Sequence, residues 1–337
     1  MGSFFGLDVR DRKILSELDM DARQPLSAIA KKAGMSREVV NYRIKQMERN
    51  KIILGYYTVL DTAKLGLMYC RMFFKYRKMP AEKESELMAF CKENENIVWV
   101  ILGEGKWDIV LVVLAYSLGE IEKVYDELNN KFGLYFQNPL ISIAFNVREF
   151  KHKYLYTKPD YRQIILGQAE KTESLDELDH SIIRLLSDNA RLSLVEIAEK
   201  LKTSPKAAGY RIKRLISEEI ILAFRAQINT KLLGYDYYKV FLTLQSFDSK
   251  NQSRVITFLR YHPNVIYITK PMGTHNLEFE AMVKNTNELH EIMRQFKQQF
   301  GDILIDYDTY FTYEVRSVGY FPKRPDMPGH DSHKATT

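Results

Sequence analysis

The chain is one unit written twice. Sliding the sequence by 168 positions lays Leu7-Asp8-x-x-Asp11-x-x-Ile14 on Leu175-Asp176-x-x-Asp179-x-x-Ile182, and Tyr42-Arg43-Ile44-Lys45 on Tyr210-Arg211-Ile212-Lys213. Ala22-Arg23 meets Ala190-Arg191, Ile52-Ile53-Leu54 meets Ile220-Ile221-Leu222, and Leu65-Gly66 meets Leu233-Gly234. About 22 of roughly 60 ungapped positions are identical, against about four expected by chance. The offset persists downstream, with Gly105 on Gly273, Phe132-Gly133 on Phe300-Gly301 and Val147 on Val315, and no insertion is needed. Whatever this chain does, it folds as a tandem pair.

Composition removes several classes. With 45% hydrophobic and 12% aromatic residues there is enough apolar area for packed cores, which excludes disorder over most of the length. The longest apolar run, Ile109 to Tyr116, suits a buried strand and is far too short to cross a bilayer. No cleavable leader reads from Met1 to Gly6, and Cys70 and Cys91 cannot make a disulfide framework, so a reducing cytoplasm is expected. The net charge of +6 permits nucleic-acid binding without demanding it.

The first 60 or so residues of each copy read as three short helices and an extended ribbon. Ile14, Leu15 and Leu18 share one helical face, and Leu26, Ile29, Ala30 and Ala33 share another that Gly34 ends. Ser36 is a good N-cap for a third helix burying Val40, Ile44 and Met47, as is Ser204 for one burying Ala208, Ile212 and Leu215 behind Pro205. Ile52 to Asp61 is aromatic-rich and extended, and is expected to make a two-stranded wing. A short turn between the second and third helices is the helix-turn-helix arrangement.

The third helix is also the most basic part of its half. Arg37, Arg43, Lys45, Arg49 and Lys51 stand against Glu38 and Glu48; in copy two Lys206, Arg211, Lys213 and Arg214 stand against Glu218 and Glu219. Arg37, Asn41 and Lys45 recur every four residues opposite the apolar stripe, so they point together away from the core. The guanidinium of Arg37 and the carboxamide of Asn41 at the amino-terminal end suit base edges, Arg43, Lys45 and Arg49 suit phosphates, and Ser36 and Tyr42 complete the expected DNA-facing set. Ser204, Lys206, Tyr210, Arg211, Lys213 and Arg214 are their counterparts. A solvated basic surface is the competing reading, which the repetition of the Tyr-Arg-Ile-Lys run weighs against.

The rest of each copy reads as strand, helix, strand, strand, helix, strand, the split β-α-β layout of ferredoxin-like domains. The fold class is therefore α+β, a tandem duplication of winged helix-turn-helix plus ferredoxin-like βαββαβ domain. The run Ile109 to Leu114 does not alternate, so the free face of the sheet is expected to pack on a second sheet, that of the other copy. The expected boundaries are 1–62 and 175–230 for the winged domains, and 63–153 and 231–320 for the sheet domains. Residues 154–174 read as a linker with a short helix over Tyr161 to Leu166, and 321–337, with Pro322, Pro325, Pro328 and Gly329, as a disordered tail.

At this level the residues resemble the leucine-responsive and asparagine-type (Lrp/AsnC) family of transcription regulators. The likeness lies in Leu7-Asp8-x-x-Asp11-x-x-Ile14-Leu15, Leu26-Ser27-x-Ile29-Ala30, Ser36 through Tyr42-Arg43-Ile44, Ile52-Ile53-x-Gly55-Tyr56 and the Leu65-Gly66 junction. It spans about 145 residues, twice. The resemblance implies double-stranded DNA as partner, a ligand-sensing and oligomerisation domain, and dimers whose recognition helices enter successive major grooves. Here the family's homodimer would form within one chain, associating through the sheet domains, with no membrane role, no cofactor and no catalysis.

Arg37, Glu38 and Asn41 align with Pro205, Lys206 and Gly209, so two unlike half-sites are expected, with the second reader gripping mostly phosphate. The resemblance also implies a small effector, such as an amino acid, near the turn between the second and third strands of the sheet domain. That turn carries Gly103, Gly105, Trp107 and Asp108, matched by Gly273, His275 and Asn276. A tight hairpin that simply needs glycine is the competing reading of it. Asn276 in place of Asp108 suggests an effector pocket in copy one only.

The rival class is enzymatic, since fused pairs of such units also resemble the haem-precursor decarboxylases. His275-Asn276-Leu277 bears a faint likeness to them that Trp107-Asp108-Ile109 does not share. A sensor or interaction module without DNA binding is a third reading. The seven histidines are scattered, with His330 and His333 in the tail, and no metal site is expected.

Overall fold

A computed structural model describes residues 7–156, 160–167, 174–245, 248–273, 275–317 and 321–322. Copy one runs α1 (Val9–Leu18), α2 (Leu26–Ala33), α3 (Arg37–Arg49), β1 (Ile53–Leu60), β2 (Met68–Tyr76), α4 (Ala81–Glu93), β3 (Ile97–Gly105), β4 (Ile109–Ala115), α5 (Leu118–Phe132) and β5 (Phe136–Phe150). A short strand β6 (Gln163–Leu166) leads into copy two. That copy runs α6 (Glu177–Asp188), α7 (Leu194–Leu201), α8 (Pro205–Ser217), β7 (Ile221–Ile228), β8 (Asp236–Leu244), α9 (Ser249–Tyr261), β9 (Val265–Met272), β10 (Leu277–Val283), α10 (Thr286–Phe300) and β11 (Leu304–Ser317).

Local chemistry accounts for the trihelical ends. Asp8 and Asp11 form a capping box on α1, and Asp176 and Asp179 do the same on α6, each satisfying two orphan amides. Gly34 closes α2 at φ 68°, a left-handed position that costs glycine little. The Ser36 hydroxyl accepts from the Val39 amide (3.3 Å) and the Ser204 hydroxyl from the Ala207 amide (3.1 Å). The expected wings are corrected: β1 does not fold back within its own copy but pairs antiparallel with β7, Tyr56 opposite Ala226 and Thr58 opposite Phe224. Each copy supplies one strand, and a lone strand would leave its amides unpaired.

The sheet domains also join. Within each copy the order is split β-α-β, β5-β2-β4-β3 and β11-β8-β10-β9. Then β3 pairs with β11 (Ile101 opposite Val315) and β5 pairs with β9 (Val147 opposite Thr269). Eight strands thereby close a ring, which removes every free edge. Cys70, Met72, Phe74, Leu111 and Val113 face outward among buried residues of α4 and α5, and Val240, Leu242, Phe279 and Ala281 face α9 and α10. The alternate residues, with Arg71, Val110 and Val112 among them, line the interior. The uncovered face inferred from the sequence is thus the inside of an intramolecular barrel.

The segment after β5 is docked rather than free. Leu155 is buried, the Tyr154 and Tyr235 rings lie 4.4 Å apart, and the expected helix over 161–166 is instead β6, pairing Leu166 with Val147. The three-residue apolar run Ile164 to Leu166 carries no helix-versus-strand period, and the open side of β5 decides it. Phe321, assigned to a disordered tail, is buried beside Leu60 and Val98; residues from 323 onward, with His330 and His333, lie outside the described residues.

Lys153, in the same docked segment, is almost fully buried, and its Nζ donates to the Arg260 carbonyl at 2.6 Å. Burial, with the nearby Arg260 guanidinium, pushes its ammonium down to about 7. Between about pH 7 and the free-lysine value near 10 the unfolded chain binds the proton that the folded chain has shed, so stability rises with pH there. Lys153→Met is expected to flatten that rise; thermal midpoints from pH 6.5 to about 9.5 check it, and an unchanged slope refutes the assignment.

Candidate nucleic-acid interface

Both recognition helices present their second and third turns to solvent. On α3, Arg37, Tyr42, Lys45 and Arg49 are exposed and Asn41 is half-buried; on α8, Lys206, Tyr210 and Lys213 are exposed. Tyr42 and Tyr210, at equivalent positions, are 59% and 66% exposed, far more than unpartnered aromatics need to be. Among the expected contacts these residues remain available to DNA.

Three of the arginines expected at the DNA surface already have acidic partners within the fold. Arg43 Nη1 donates to Asp8 Oδ2 and Asp11 Oδ1, both at 2.8 Å, and Arg211 Nη1 donates to Asp176 (2.5 Å) and Asp179 (3.1 Å). Arg214 pairs with Asp179 as well. The capping-box carboxylates of the first helix thus brace the third, which the sequence shows only as distant acids. Gly209 has a packing reason too. A Cβ there would stand 3.2 Å from Leu194 Cδ1, tighter than ordinary contact, so α7 and α8 approach closely at that point.

The two helix-turn-helix units are locked about a pseudo-two-fold. The Ala22 amide donates to the Phe224 carbonyl (2.8 Å), and at the 168-residue offset the Ala190 amide donates to the Tyr56 carbonyl (3.0 Å). Arg23 lies 5.3 Å over the Phe224 ring and Arg191 lies 4.9 Å over Tyr56. Arg23 Nη1 also donates to the Ala190 and Leu192 carbonyls at 2.6 and 2.7 Å. The repeated Ala-Arg pairs were visible in the alignment; that they clasp the other copy was not.

A further brace has no counterpart in copy two. Arg225, 2% exposed, pairs with Asp19 and Glu149, joining α1 to β5. Burial would raise the Asp19 carboxyl, but Arg225 and His152 outweigh it and hold the group far below the carboxylate range. At the repeat offset Arg225 aligns with Tyr57 and Asp19 with Ser187, so only the first unit is pinned this way.

The expected effector turn is filled by the fold itself. A Cβ on Gly103 would stand 2.2 Å from the Phe311 carbonyl oxygen, and Gly105 has φ +133° against Thr309 of β11. Trp107 is buried against Phe73 and Phe241, with ring centroids at 4.9 and 5.0 Å. Asp108 accepts from Lys75 Nζ and the Tyr76 amide, each at 2.7 Å. In copy two His275 Nδ1 meets Thr243 Oγ1 at 3.2 Å and Asn276 accepts from the Leu244 amide, while Gly273 is exposed and Thr274 lies outside the described residues. The glycines of copy one are required by strand pairing between copies, and Asp108 and Asn276 each already have hydrogen-bond partners within the fold.

Comparison with known proteins bears on both rival classes. The AsnC-type helix-turn-helix domain matches residues 7–48 and 175–216. An HTH-type transcriptional regulator LrpA of Pyrococcus horikoshii is 35% identical over 127 residues, 38% of this chain and 86% of its own length. An uncharacterized HTH-type transcriptional regulator of the same organism is 28% identical over 157 residues, 47% of this chain and 97% of its own. Among solved structures, the siroheme decarboxylase NirDL superposes with a TM-score of 0.62 at 14% identity, over 94% of this chain and 93% of that one. At that identity the likeness concerns the fold of a fused pair.

Proposed function

The chain belongs to the Lrp/AsnC family of transcription regulators, with two units in one polypeptide, and from that premise we propose that it acts as a built-in pseudo-dimer, reading two unlike DNA half-sites and responding to a small molecule. The observation that carries this reading is the clasp between the units: β1 paired with β7 and the reciprocal Ala22–Phe224 and Ala190–Tyr56 bonds. Such a clasp holds two exposed recognition helices in a fixed, inverted relation, which is what two half-sites one helical turn apart require. The inequality of the readers follows from Arg37 and Asn41 standing where copy two has Pro205 and Gly209. The sheet faces that would pair two chains are already paired within one.

Binding-site selection on random DNA with the purified chain is expected to return two inverted but dissimilar half-sites centred about 10 base pairs apart. Gel shifts at two salt concentrations are expected to weaken steeply, as counterion release from roughly six to ten phosphates demands. A perfect palindrome argues against unequal readers, and salt-insensitive binding argues against DNA as the partner.

The full-length likeness to NirDL supports a second, enzymatic reading with sirohaem as substrate. Against it, the interior cavity is about 250 Å³, below the roughly 300–1,000 Å³ of pockets for drug-sized ligands, and an iron tetrapyrrole is larger still. Adding sirohaem is expected to leave its Soret band unshifted; a shift with turnover would favour the enzyme.

A further inference from the structure

The barrel is not filled. Phe73, Trp107, Val110, Phe241 and Tyr310 plug its floor, and the β1–β7 ribbon roofs it through Tyr57 and Ala226. Between them lies a cavity of about 250 Å³. Eight strands enclose an interior that side chains just fill or that holds one small ligand. The volume exceeds the roughly 150 Å³ that accepts benzene in an engineered apolar void.

Its two walls have diverged. Val110, Val112 and Leu114 of β4 stand, at the repeat offset, where β10 has Glu278, Glu280 and Met282. The β4 side is apolar and continues into Trp99. On the β10 side Glu278 accepts from Arg71 Nη2 (3.0 Å) and pairs with Lys239 (2.9 Å), while Glu280 accepts from Lys239 (2.6 Å) and from the Tyr237 hydroxyl. Burial would raise the Glu278 carboxyl, but Arg71 and Lys239 hold it at about 2. Arg71 and Lys239 thus balance the two carboxylates of β10, and Glu149, the other carboxylate on the lining, is paired with Arg225, so an occupant with net charge would stand uncompensated in a buried site. One polar atom is left over: Arg71 is 3% exposed, and its buried Nε has no hydrogen-bond partner. Such an atom is costly unless an acceptor or water meets it.

We propose that the barrel interior binds a compact, net-neutral amphiphile of roughly ten non-hydrogen atoms, its apolar body against Val112 and Leu114 and a hydrogen-bond acceptor on Arg71 Nε. This locates the small-molecule response of the reading above. The test reads binding without DNA, so the site and the DNA reading fail separately.

The full chain is titrated with 4-fluorophenol, followed by fluorine NMR and by tryptophan emission. The chain has two tryptophans; Trp99 lines the cavity wall and Trp107 packs behind the lining residues Phe73 and Val110, so occupancy reports directly on Trp99. Saturable one-to-one binding with a matching emission change is expected. Val112→Trp, which fills the apolar wall, is expected to weaken binding at least tenfold; Leu114→Phe serves the same end with a smaller insertion. Absence of saturable binding, binding without an emission change, or binding unaltered in a folded filled variant overturns the proposal.

Discussion

Arg225→Met is expected to be the most destabilising single substitution tested. The guanidinium donates from Nε to Asp19 (3.0 Å) and from Nη1 to the Phe150 carbonyl (3.1 Å), and it pairs with Glu149. Its removal leaves Asp19 and Glu149 buried without the guanidinium, with the Tyr156 hydroxyl on Asp19 and the Tyr57 and Tyr267 hydroxyls on Glu149, each at 3.0 Å, and His152 Nδ1 at 3.1 Å from Asp19. Breaking a buried pair from one side costs about 3–5 kcal/mol, which for a chain of this size lowers the melting temperature by roughly 10 °C. In the wild type the Asp19 carboxylate is held ionised by the cation. In the variant it protonates at higher pH, so the deficit is expected to shrink on acidification from pH 7 towards 4. Adding Asp19→Asn is expected to restore part of the loss. A melting temperature within a degree or two of wild type would show that the cluster contributes no net stability.

The second large effect concerns DNA. Combining Arg37→Ala with Asn41→Ala removes the two side chains of α3 that we propose read bases and that α8 lacks, each worth about 1–3 kcal/mol in a bidentate contact. Affinity for the selected operator is expected to fall at least about 30-fold, with discrimination lost in one half-site. Lys206→Ala is expected to weaken all sequences alike and to reduce the salt slope by about one. Equal losses from both copies, or retained discrimination in the double variant, would remove the case for unequal readers.

Much of the fold was legible from residue spacing. The helices rest on capping chemistry and on stripes at i, i+4 and i+7, such as Val40, Ile44 and Met47, which are buried as their spacing requires. The strand order followed from local periods and the repeat. What could not be read was the identity of each partner. Ile53–Leu60 carries a strand signal, but nothing in it says that its amides belong to Ile221–Ile228, 168 residues away. Arg43 reads as a phosphate contact because its helix is basic, and its braces, Asp8 and Asp11, lie over 30 residues upstream. The partners of Asp108 were hidden for the same reason, since Lys75 and Tyr76 reach it across a strand pairing.

The sequence by itself determined that one winged and one ferredoxin-like unit occur twice, that each has an apolar face needing cover, and that the recognition helices differ at Arg37 and Asn41. Hydrophobic period and capping residues are local quantities, and they record which face of an element is buried. Only the tertiary structure decided what each face is buried against: wing strand against wing strand, sheet edge against sheet edge, and a charged barrel wall against an apolar one. Long-range pairing depends on the geometry of the whole ring, and the cavity with its unpartnered arginine nitrogen exists only once that ring is closed.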